Sequence, residues 1–328
     1  MDAKKLIDLC RDKTVWIQTH NFPDPDAISS GFALQGLLKR FGIESLLCHD
    51  GAIDKISSLK MLKLIGAKIY PKSEIESRMK KEDMIILVDC QKNNGNTTDF
   101  IGDELAVIDH HPTFKKVNYE YADLRITGSC AAIITEYFKE LNIVPTVKEA
   151  TGLLYGMRMD TLQFSRGMAQ FDVDMYAYIF RYTDSTLLKE LETNNMEFND
   201  LQGYSVAIDN IRTYGKIGFS HLDFEFPDAL VAILSDFLLS LAEVEVVVLY
   251  AKRDDGFKFS VRSERGDIHA GNLANEALKD IGNGGGHASM AGGFVSEENI
   301  KDKDYFYEQV QERFLEAIKT LCPNNNIL

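Results

Sequence analysis

The stretch VWIQTHNFPDPDAISSG, residues 15–31, decides the fold of the N-terminal half. Its first five residues, VWIQT, form a short and mostly apolar run that predicts a buried strand. Its last residues open a segment, 27–41, whose apolar positions recur at helical spacing. His20, Asp24 and Asp26 lie between the two, in an H-x3-D-x-D pattern. A strand that leads directly into a helix predicts a βα unit, with these three polar side chains at the junction.

The rest of the first half repeats this alternation. Further apolar runs predict strands: SLLCH at 45–49, MIILVD at 84–89 and LAVID at 105–109. These runs lack polar alternation, which is typical of strands that are buried on both faces of a parallel sheet. Predicted helices fall at 55–65, 129–141 and 147–158. The pattern therefore predicts an α/β fold with a doubly wound, mostly parallel sheet.

The second half predicts a smaller α/β domain. Strands are predicted for KIGFSHL at 216–222, VEVVVLYAKR at 244–253 and FKFSVRS at 257–263. Between the last two, Asp254-Asp255-Gly256 predicts a hairpin turn. A chain of 328 residues suggests roughly two domains. We expect a larger domain at 1–190, a helical linker at 191–212 and a smaller domain at 213–328, with a cleft between the two domains.

The composition narrows the function before any motif is considered. The chain has 36 Lys and Arg against 50 Asp and Glu, a formal net charge of −14. This acid excess argues against duplex DNA, whose phosphates need a basic surface. No stretch approaches the roughly 18 apolar residues of a membrane span, so no membrane partner is expected. Five cysteines without a CxxC pair are typical of reduced thiols, which predicts a cytoplasmic location.

Carboxylates and histidines recur at the ends of the predicted elements. Asp89 ends one strand run, Asp109-His110-His111 ends another, and Asp160 ends the helix LLYGMRMD. Each Asp alone is accounted for as a helix cap or a turn residue. Because ligands bind at the carboxyl ends of strands in an open α/β sheet, we expect these groups to converge. Converging carboxylates repel one another unless a divalent metal binds, and mixed Asp and His donors suit Mn²⁺.

These motifs resemble those of the DHH phosphoesterase superfamily, which takes its name from the triplet Asp109-His110-His111. The H-x3-D-x-D pattern, the strand-end Asp89, the triplet and Asp160 in MDTLQF occur in the family's order. GGGHASMAGG at 284–293 resembles the Gly-rich signature of the DHH-associated C-terminal domain. The resemblance covers nearly the whole chain, and the ordered set of motifs is specific.

The resemblance implies a site with two divalent metal ions, usually Mn²⁺, at which hydroxide attacks phosphorus. It implies the following ligands: His20, Asp24 and Asp89 for one ion, and Asp26, Asp89, His110 and Asp160 for the other. Asp89 would then bridge the ions. Asp109 would orient a histidine, and His111 would face the substrate phosphate. Two ions roughly 3.5–4 Å apart stabilise the oxygens of an in-line displacement at phosphorus.

The second half offers candidate substrate-binding residues. Consecutive glycines, Gly284-Gly285-Gly286, allow backbone N–H groups to converge on an anion, and His287 adds a donor. A plain turn is the alternative for such a Gly-rich loop. The resemblance also implies that Arg262, with Ser263, holds the end of the substrate that is not cleaved. The alternative for Arg262 is a solvated arginine on a strand face, and Arg158 has no assigned role.

The two-domain layout is similar to that of the nanoRNase/pAp phosphatase subgroup. These enzymes degrade short oligoribonucleotides and remove the 3′-phosphate of 3′-phosphoadenosine 5′-phosphate (pAp). The resemblance leaves three alternatives open: a phosphodiesterase for cyclic di-AMP or pApA, a manganese inorganic pyrophosphatase, and a nucleotide-binding regulator without catalysis. The expected partner is a short oligoribonucleotide or nucleotide. Family members often dimerise, so a homodimer is a further expected partner.

Overall fold

The computed structural model describes residues 3–300 and 305–322. The chain divides into two compact units, with the boundary between Asn195 and Met196. The linker that was predicted at 191–212 is therefore shared between the units, and most of it belongs to the second. Within the described residues, no helix is long and apolar enough to cross a membrane.

The first unit contains a six-stranded sheet in which every pair of neighbours is parallel. Its strands are β1 Val15–Gln18, β2 Ser45–His49, β3 Ile69–Pro71, β4 Met84–Val88, β5 Asp103–Asp109 and β6 Tyr121–Leu124. They run in the order β3-β2-β1-β4-β5-β6. All five residues of β4 are buried, as expected for a central parallel strand. The α/β prediction is confirmed, although the short edge strands β3 and β6 gave no signal in the sequence.

Eight helices of the described chain belong to the first unit. They are α1 Ala3–Cys10, α2 Pro25–Lys39, α3 Ile56–Ile65, α4 Lys72–Ile75, α5 Cys130–Glu140, α6 Val147–Asp160, α7 Gln170–Phe180 and α8 Ser185–Glu192. Helix α2 begins where Asp24 Oδ1 accepts hydrogen bonds from the backbone N–H groups of Asp26 and Ala27. Helix α6 packs closely against the start of α2: a Cβ at Gly156 would lie only 3.2 Å from the Asp26 Cα. This approach brings the C-terminal end of α6 close to the β1–α2 junction.

The second unit contains a mixed six-stranded sheet in which β8 and β9 form the parallel pair. Its strands are β7 Arg212–Tyr214, β8 Ile217–Leu222, β9 Val246–Arg253, β10 Gly256–Ser263, β11 Asn283–Gly286 and β12 Met290–Ser296. Its helices are α9 Asp200–Asn210, α10 Asp228–Leu239, α11 Ala270–Leu278 and α12 Phe306–Leu321. Helix α9 packs against β8 and α10, which makes this part of the predicted linker a component of the second unit.

The prediction of a loop at the Gly-rich segment is wrong, because Asn283–Gly286 form the edge strand β11, which pairs with β12. Packing or backbone conformation explains why two of these positions are glycine. A Cβ at Gly284 would lie 2.4 Å from the Ala274 carbonyl oxygen of α11, and Gly286 has φ +152°. Helix α11 therefore lies too close to β11 for larger residues there. At Gly285, by contrast, a Cβ would meet no atom within 4 Å.

Candidate metal centre

The predicted metal ligands of the first unit lie at the carboxyl ends of the parallel strands. His20 follows β1, Asp89 follows β4, and His110 follows β5. Asp89 has φ +60°, a left-handed conformation that Asp and Asn tolerate better than most residues. This backbone turns sharply at the end of β4, where an open α/β sheet binds its ligands.

The side chains form two groups that meet at Asp89. In the first group, His20 Nε2 lies 3.9 Å from Asp24 Oδ1 and 3.6 Å from Asp89 Oδ2. In the second group, His110 Nε2 lies 3.9 Å from Asp26 Oδ2 and 3.3 Å from Asp160 Oδ2. The same His110 nitrogen lies 3.3 Å from Asp89 Oδ1. The two oxygens of Asp89 therefore face different groups.

Backbone carbonyls fix the orientation of both histidines. His20 Nδ1 donates to the Asn21 carbonyl at 2.7 Å, and His110 Nδ1 donates to the Thr127 carbonyl at 3.0 Å. In each ring the Nε2 atom is left to face the carboxylates. A neutral imidazole held in this tautomer presents its Nε2 lone pair, which is the usual arrangement of a metal-ligating histidine.

Asp109 has a different environment from the other carboxylates. It is fully buried, and its Oδ1 accepts from His111 Nδ1 at 2.8 Å and from the His110 backbone N–H at 2.9 Å. Its Oδ2 accepts from Gln91 Nε2 at 2.7 Å. These bonds hold both histidines of the triplet in place. The His111 side chain is 42% exposed, so its ring is accessible while Asp109 holds it.

The electrostatics of the cluster favour a bound cation. Burial, followed by the charges of Asp89 and Asp160, raises the pKa of Asp26 well above its usual value. Burial also raises the pKa of Asp160 to about 6. Burial disfavours the imidazolium form of His110, but the carboxylates around it raise its pKa overall. The carboxylates therefore outnumber the histidines that face them, and a divalent cation would compensate this excess of negative charge.

Two buried atoms that lack hydrogen-bond partners test whether these residues fit a metal. Asp89 Oδ1 and His110 Nε2 are buried and have no hydrogen-bond partner among the described residues. Buried polar atoms are normally satisfied, so the pair points to a ligand. Oxygen and imidazole donors without thiolate suit a divalent cation of the Mn²⁺ type. The donor set therefore fits the divalent metals that the motifs imply.

Sequence reasoning missed three residues that support this cluster. Gln91 holds Asp109, the Thr127 carbonyl orients His110, and Asp172 holds Thr127. Asp172 is buried and accepts from the Thr127 hydroxyl at 2.6 Å and from the Gly128 N–H at 3.0 Å. No pattern singles out these residues, because their partners are remote in sequence.

The predicted substrate residues of the second unit show varied environments. Arg262 is buried: its Nε donates to Asp236 Oδ1 at 2.6 Å and its Nη1 to Ser260 Oγ at 3.1 Å. The alternative of a solvated arginine is therefore wrong. Ser263 is buried and its Oγ accepts from the Arg265 N–H, whereas His287 is exposed after β11.

Arg158, which had no assigned role, lies near the end of α6 and is partly exposed. Its Nε contacts Gln163 Oε1 at 2.6 Å and Glu192 Oε1 at 2.9 Å. Both partners belong to the first unit, so these contacts tie the end of α6 to α8 and to the turn that follows Asp160.

Comparison with known proteins agrees with this geometry. Residues 14–157 match the DHH family, N-terminal domain, and residues 215–322 match the DHHA1 domain. The chain belongs to the DHH family. This confirms the family predicted from the ordered motifs and from the Gly-rich signature. Its relatives include a probable manganese-dependent inorganic pyrophosphatase of Streptococcus pyogenes, which is 29% identical over 44% of this chain and 47% of that protein.

The DHH-family chain is 28% identical over 302 residues to an uncharacterized protein of Methanocaldococcus jannaschii; the match covers 90% of this chain but 61% of that protein. It is 26% identical to the bifunctional oligoribonuclease and PAP phosphatase NrnA of Thermus thermophilus, over 93% of this chain and 89% of that protein. A solved exopolyphosphatase-related protein from Bacteroides fragilis superposes with a TM-score of 0.77 at 18% identity, covering 97% and 95% of the two chains. That likeness shows the fold.

Proposed function

We propose that this DHH-family protein is a Mn²⁺-dependent phosphoesterase that hydrolyses short oligoribonucleotides, pAp or both. The observation that carries the proposal is the pair of donor groups that share Asp89. His20 and Asp24 lie on one side of this carboxylate, and Asp26, His110 and Asp160 lie on the other. Two adjacent cations bound by a shared carboxylate suit displacement at phosphorus.

The proposed ligands of one ion are His20, Asp24 and Asp89, and those of the other are Asp26, Asp89, His110 and Asp160. Two such ions would stabilise the attacking and leaving oxygens of an in-line displacement. The chain itself orients the donors: the Asn21 and Thr127 carbonyls set the histidine tautomers. This support reduces the reorganisation that is needed when the cluster is loaded.

We assign Asp109 and His111 to the handling of substrate. Asp109 accepts the His111 Nδ1 proton, so His111 Nε2 is available to a substrate phosphate. Burial lowers the pKa of His111, but the hydrogen bond with Asp109 and, in the metal-free site, the charge of Asp89 raise it overall, which favours the cationic ring. A cationic imidazole is a strong hydrogen-bond donor to a phosphate oxygen. Asp109 acts through His111 and is a positioning residue.

The second unit would hold the remainder of the substrate. Arg262 and Ser263 at the end of β10, the strand residues Gly284, Gly285 and Gly286, and His287 are the proposed contacts. Gly285 has open space where a side chain would be, which leaves its backbone accessible. The relative NrnA, an oligoribonuclease and PAP phosphatase, aligns with the chain over nearly its full length. This similarity favours short nucleotides over polymers as substrates.

A substrate panel tests the proposal. The full-length protein is incubated with Mn²⁺ and di- to pentaribonucleotides, pAp, pApA, cyclic di-AMP or pyrophosphate, and product release is measured. Release of mononucleotide or of the pAp 3′-phosphate supports the proposal. Turnover of cyclic di-AMP or pApA alone supports the cyclic dinucleotide alternative, and turnover of pyrophosphate alone supports a pyrophosphatase. Tight nucleotide binding without any turnover indicates a regulator. The Asp89→Asn variant provides the background rate.

A further inference from the structure

Phe22 is an exposed aromatic residue inside the first metal-binding motif. It lies between His20 and Asp24, two residues from each, so its Cα is within about 7 Å of theirs along the chain. Its side chain is 58% exposed. Its φ is +58°, a left-handed conformation that is unfavourable for an L-residue with a bulky side chain. Strained residues of this kind cluster at functional sites.

The loop that carries Phe22 is held firmly on both sides. The Phe22 N–H donates to the Asp50 carbonyl at 3.2 Å, and the Asn21 N–H donates to the Asn96 carbonyl at 2.7 Å. The Asn21 side chain exchanges hydrogen bonds with Thr98, whose hydroxyl also donates to Asp50 Oδ2 at 2.8 Å. The strained backbone is therefore built in by several contacts.

The ring itself rests on a glycine. A Cβ at Gly51 would lie 2.8–3.0 Å from three atoms of the Phe22 ring, and Gly51 has φ +73°. Any side chain at position 51 would displace the ring. The ring is thus supported on one side by backbone, and more than half of the residue is exposed to solvent.

We propose that Phe22 is a stacking platform for a nucleobase of the substrate, a contact that selects phosphoesters carrying a base. The inference rests on the proposed function and names a feature of its substrate. A nucleotide places an anionic phosphate and an aromatic ring one ribose apart, and Phe22 lies two residues from both His20 and Asp24 in the chain. Stacking on an aromatic ring tolerates any base, so Phe22 gives selection for a base without selection of its identity.

The Phe22→Asn variant removes the ring while keeping a residue that tolerates the left-handed backbone, which protects the fold. The full-length variant and wild type are compared with Mn²⁺ on pAp and on ribose 3′,5′-bisphosphate, which has the same phosphates and no base. We expect kcat/KM for pAp to fall about tenfold and kcat/KM for the abasic compound to stay within twofold. An equal fall for both compounds overturns the inference, as does no fall for pAp.

Two further variants separate stacking from general apolar contact. Phe22→Tyr keeps an aromatic ring and is expected to retain the wild-type ratio of the two kcat/KM values, whereas Phe22→Leu is expected to lose it. Full retention by Phe22→Leu would overturn stacking.

A binding measurement that needs no turnover uses a dinucleotide with 2-aminopurine and a phosphorothioate linkage. Wild type should quench its fluorescence, and Phe22→Asn should not. Quenching that persists in Phe22→Asn overturns the inference. If wild type quenches this probe but hydrolyses no nucleotide, the proposed function fails while Phe22 stacking stands.

Discussion

Asp26 and Cys130 are joined by a buried hydrogen bond across 104 residues of sequence: the Asp26 Oδ2 atom accepts from the Cys130 backbone N–H at 2.7 Å. The other oxygen of Asp26 accepts from the Ala131 N–H at 2.9 Å. These are the first two residues of α5, whose N-terminus carries a partial positive charge. A single carboxylate thus caps a helix of the fold and faces His110 in the proposed metal site.

This double role predicts different outcomes for two substitutions in the cluster. Asp26→Ala leaves two buried N–H groups without acceptors and should lower the free energy of unfolding by about 2 kcal/mol. Asp89→Asn keeps the size of the side chain and suits the positive φ, so its effect should stay within about 1 kcal/mol. Both variants should lose phosphoester hydrolysis. Urea denaturation with a chelator present measures stability without a metal contribution, and equal losses of stability would contradict the role of Asp26 at α5.

Arg40 and Glu149 predict a large stability effect away from the site. Arg40 forms two hydrogen bonds with the Glu149 carboxylate, at 2.9 and 2.6 Å, and Glu149 is buried. Arg40→Ala leaves that carboxylate uncompensated and should cost about 3 kcal/mol of unfolding free energy. Adding Glu149→Gln should recover part of the loss, because the buried charge is removed. The exposed pair of Arg11 and Asp8 is the control, and Arg11→Ala should cost under about 1 kcal/mol.

The sequence predicted the strands and the cluster for one physical reason. Buried parallel strands are continuous apolar runs, and their carboxyl ends share one edge, so Asp89 and His110 at the ends of such runs had to converge. The supporting contacts followed no such rule. The Thr127 carbonyl contacts His110, and the Asp172 carboxylate holds Thr127, through tertiary packing. The edge strands β3 and β6 are short and only partly buried.

In the second unit, the glycines of β11 form a strand although their composition indicates a loop. Glycine has a low strand propensity, so Gly284-Gly285-Gly286 indicated a loop. The segment forms a strand by pairing with β12, and α11 approaches it so closely that a Cβ at Gly284 would collide with a carbonyl. Arg262 illustrates the same limit, since alternation along β10 gives its face but does not reveal Asp236 on α10 as its partner.

Arg262 predicts a phosphate-dependent effect on substrate use. Its Nε and Nη1 atoms are engaged, and its Nη2 atom has no hydrogen-bond partner among the described residues. Arg262→Ala should lower kcat/KM for a dinucleotide with a 5′-phosphate about tenfold, and that for the same dinucleotide without this phosphate much less. Asp236→Asn serves as the control, because it weakens the ion pair but keeps the guanidinium. Equal losses on both dinucleotides in Arg262→Ala would exclude contact with the terminal phosphate.

A left-handed turn after Asp160 predicts a stabilising substitution. Leu162, Gln163 and Phe164 have φ values of 47°, 57° and 69°. Leu162 is 43% exposed, so little packing is lost on its removal. Leu162→Gly should raise the free energy of unfolding by about 0.5–1 kcal/mol, because glycine adopts this conformation without a Cβ clash. Glu190→Gly, at an exposed position inside α8, should lower it by about 1 kcal/mol. A loss of stability in Leu162→Gly would contradict the assigned strain.

Asp172 predicts a remote effect on metal affinity. Its Oδ1 atom accepts from the Thr127 hydroxyl and its Oδ2 atom from the Ala169 N–H at 2.8 Å. In Asp172→Asn the side-chain NH2 group faces either the Thr127 hydroxyl or the Ala169 N–H, so one of these hydrogen bonds is lost. This loss loosens the segment whose carbonyl orients His110. We expect Mn²⁺ affinity, measured by calorimetric titration, to fall about tenfold. Asp174→Asn, an exposed position on the same helix, should leave it unchanged. If the variant loses stability but binds Mn²⁺ like wild type, Asp172 has a purely structural role, because its expected effect on metal binding depends on the orientation of His110.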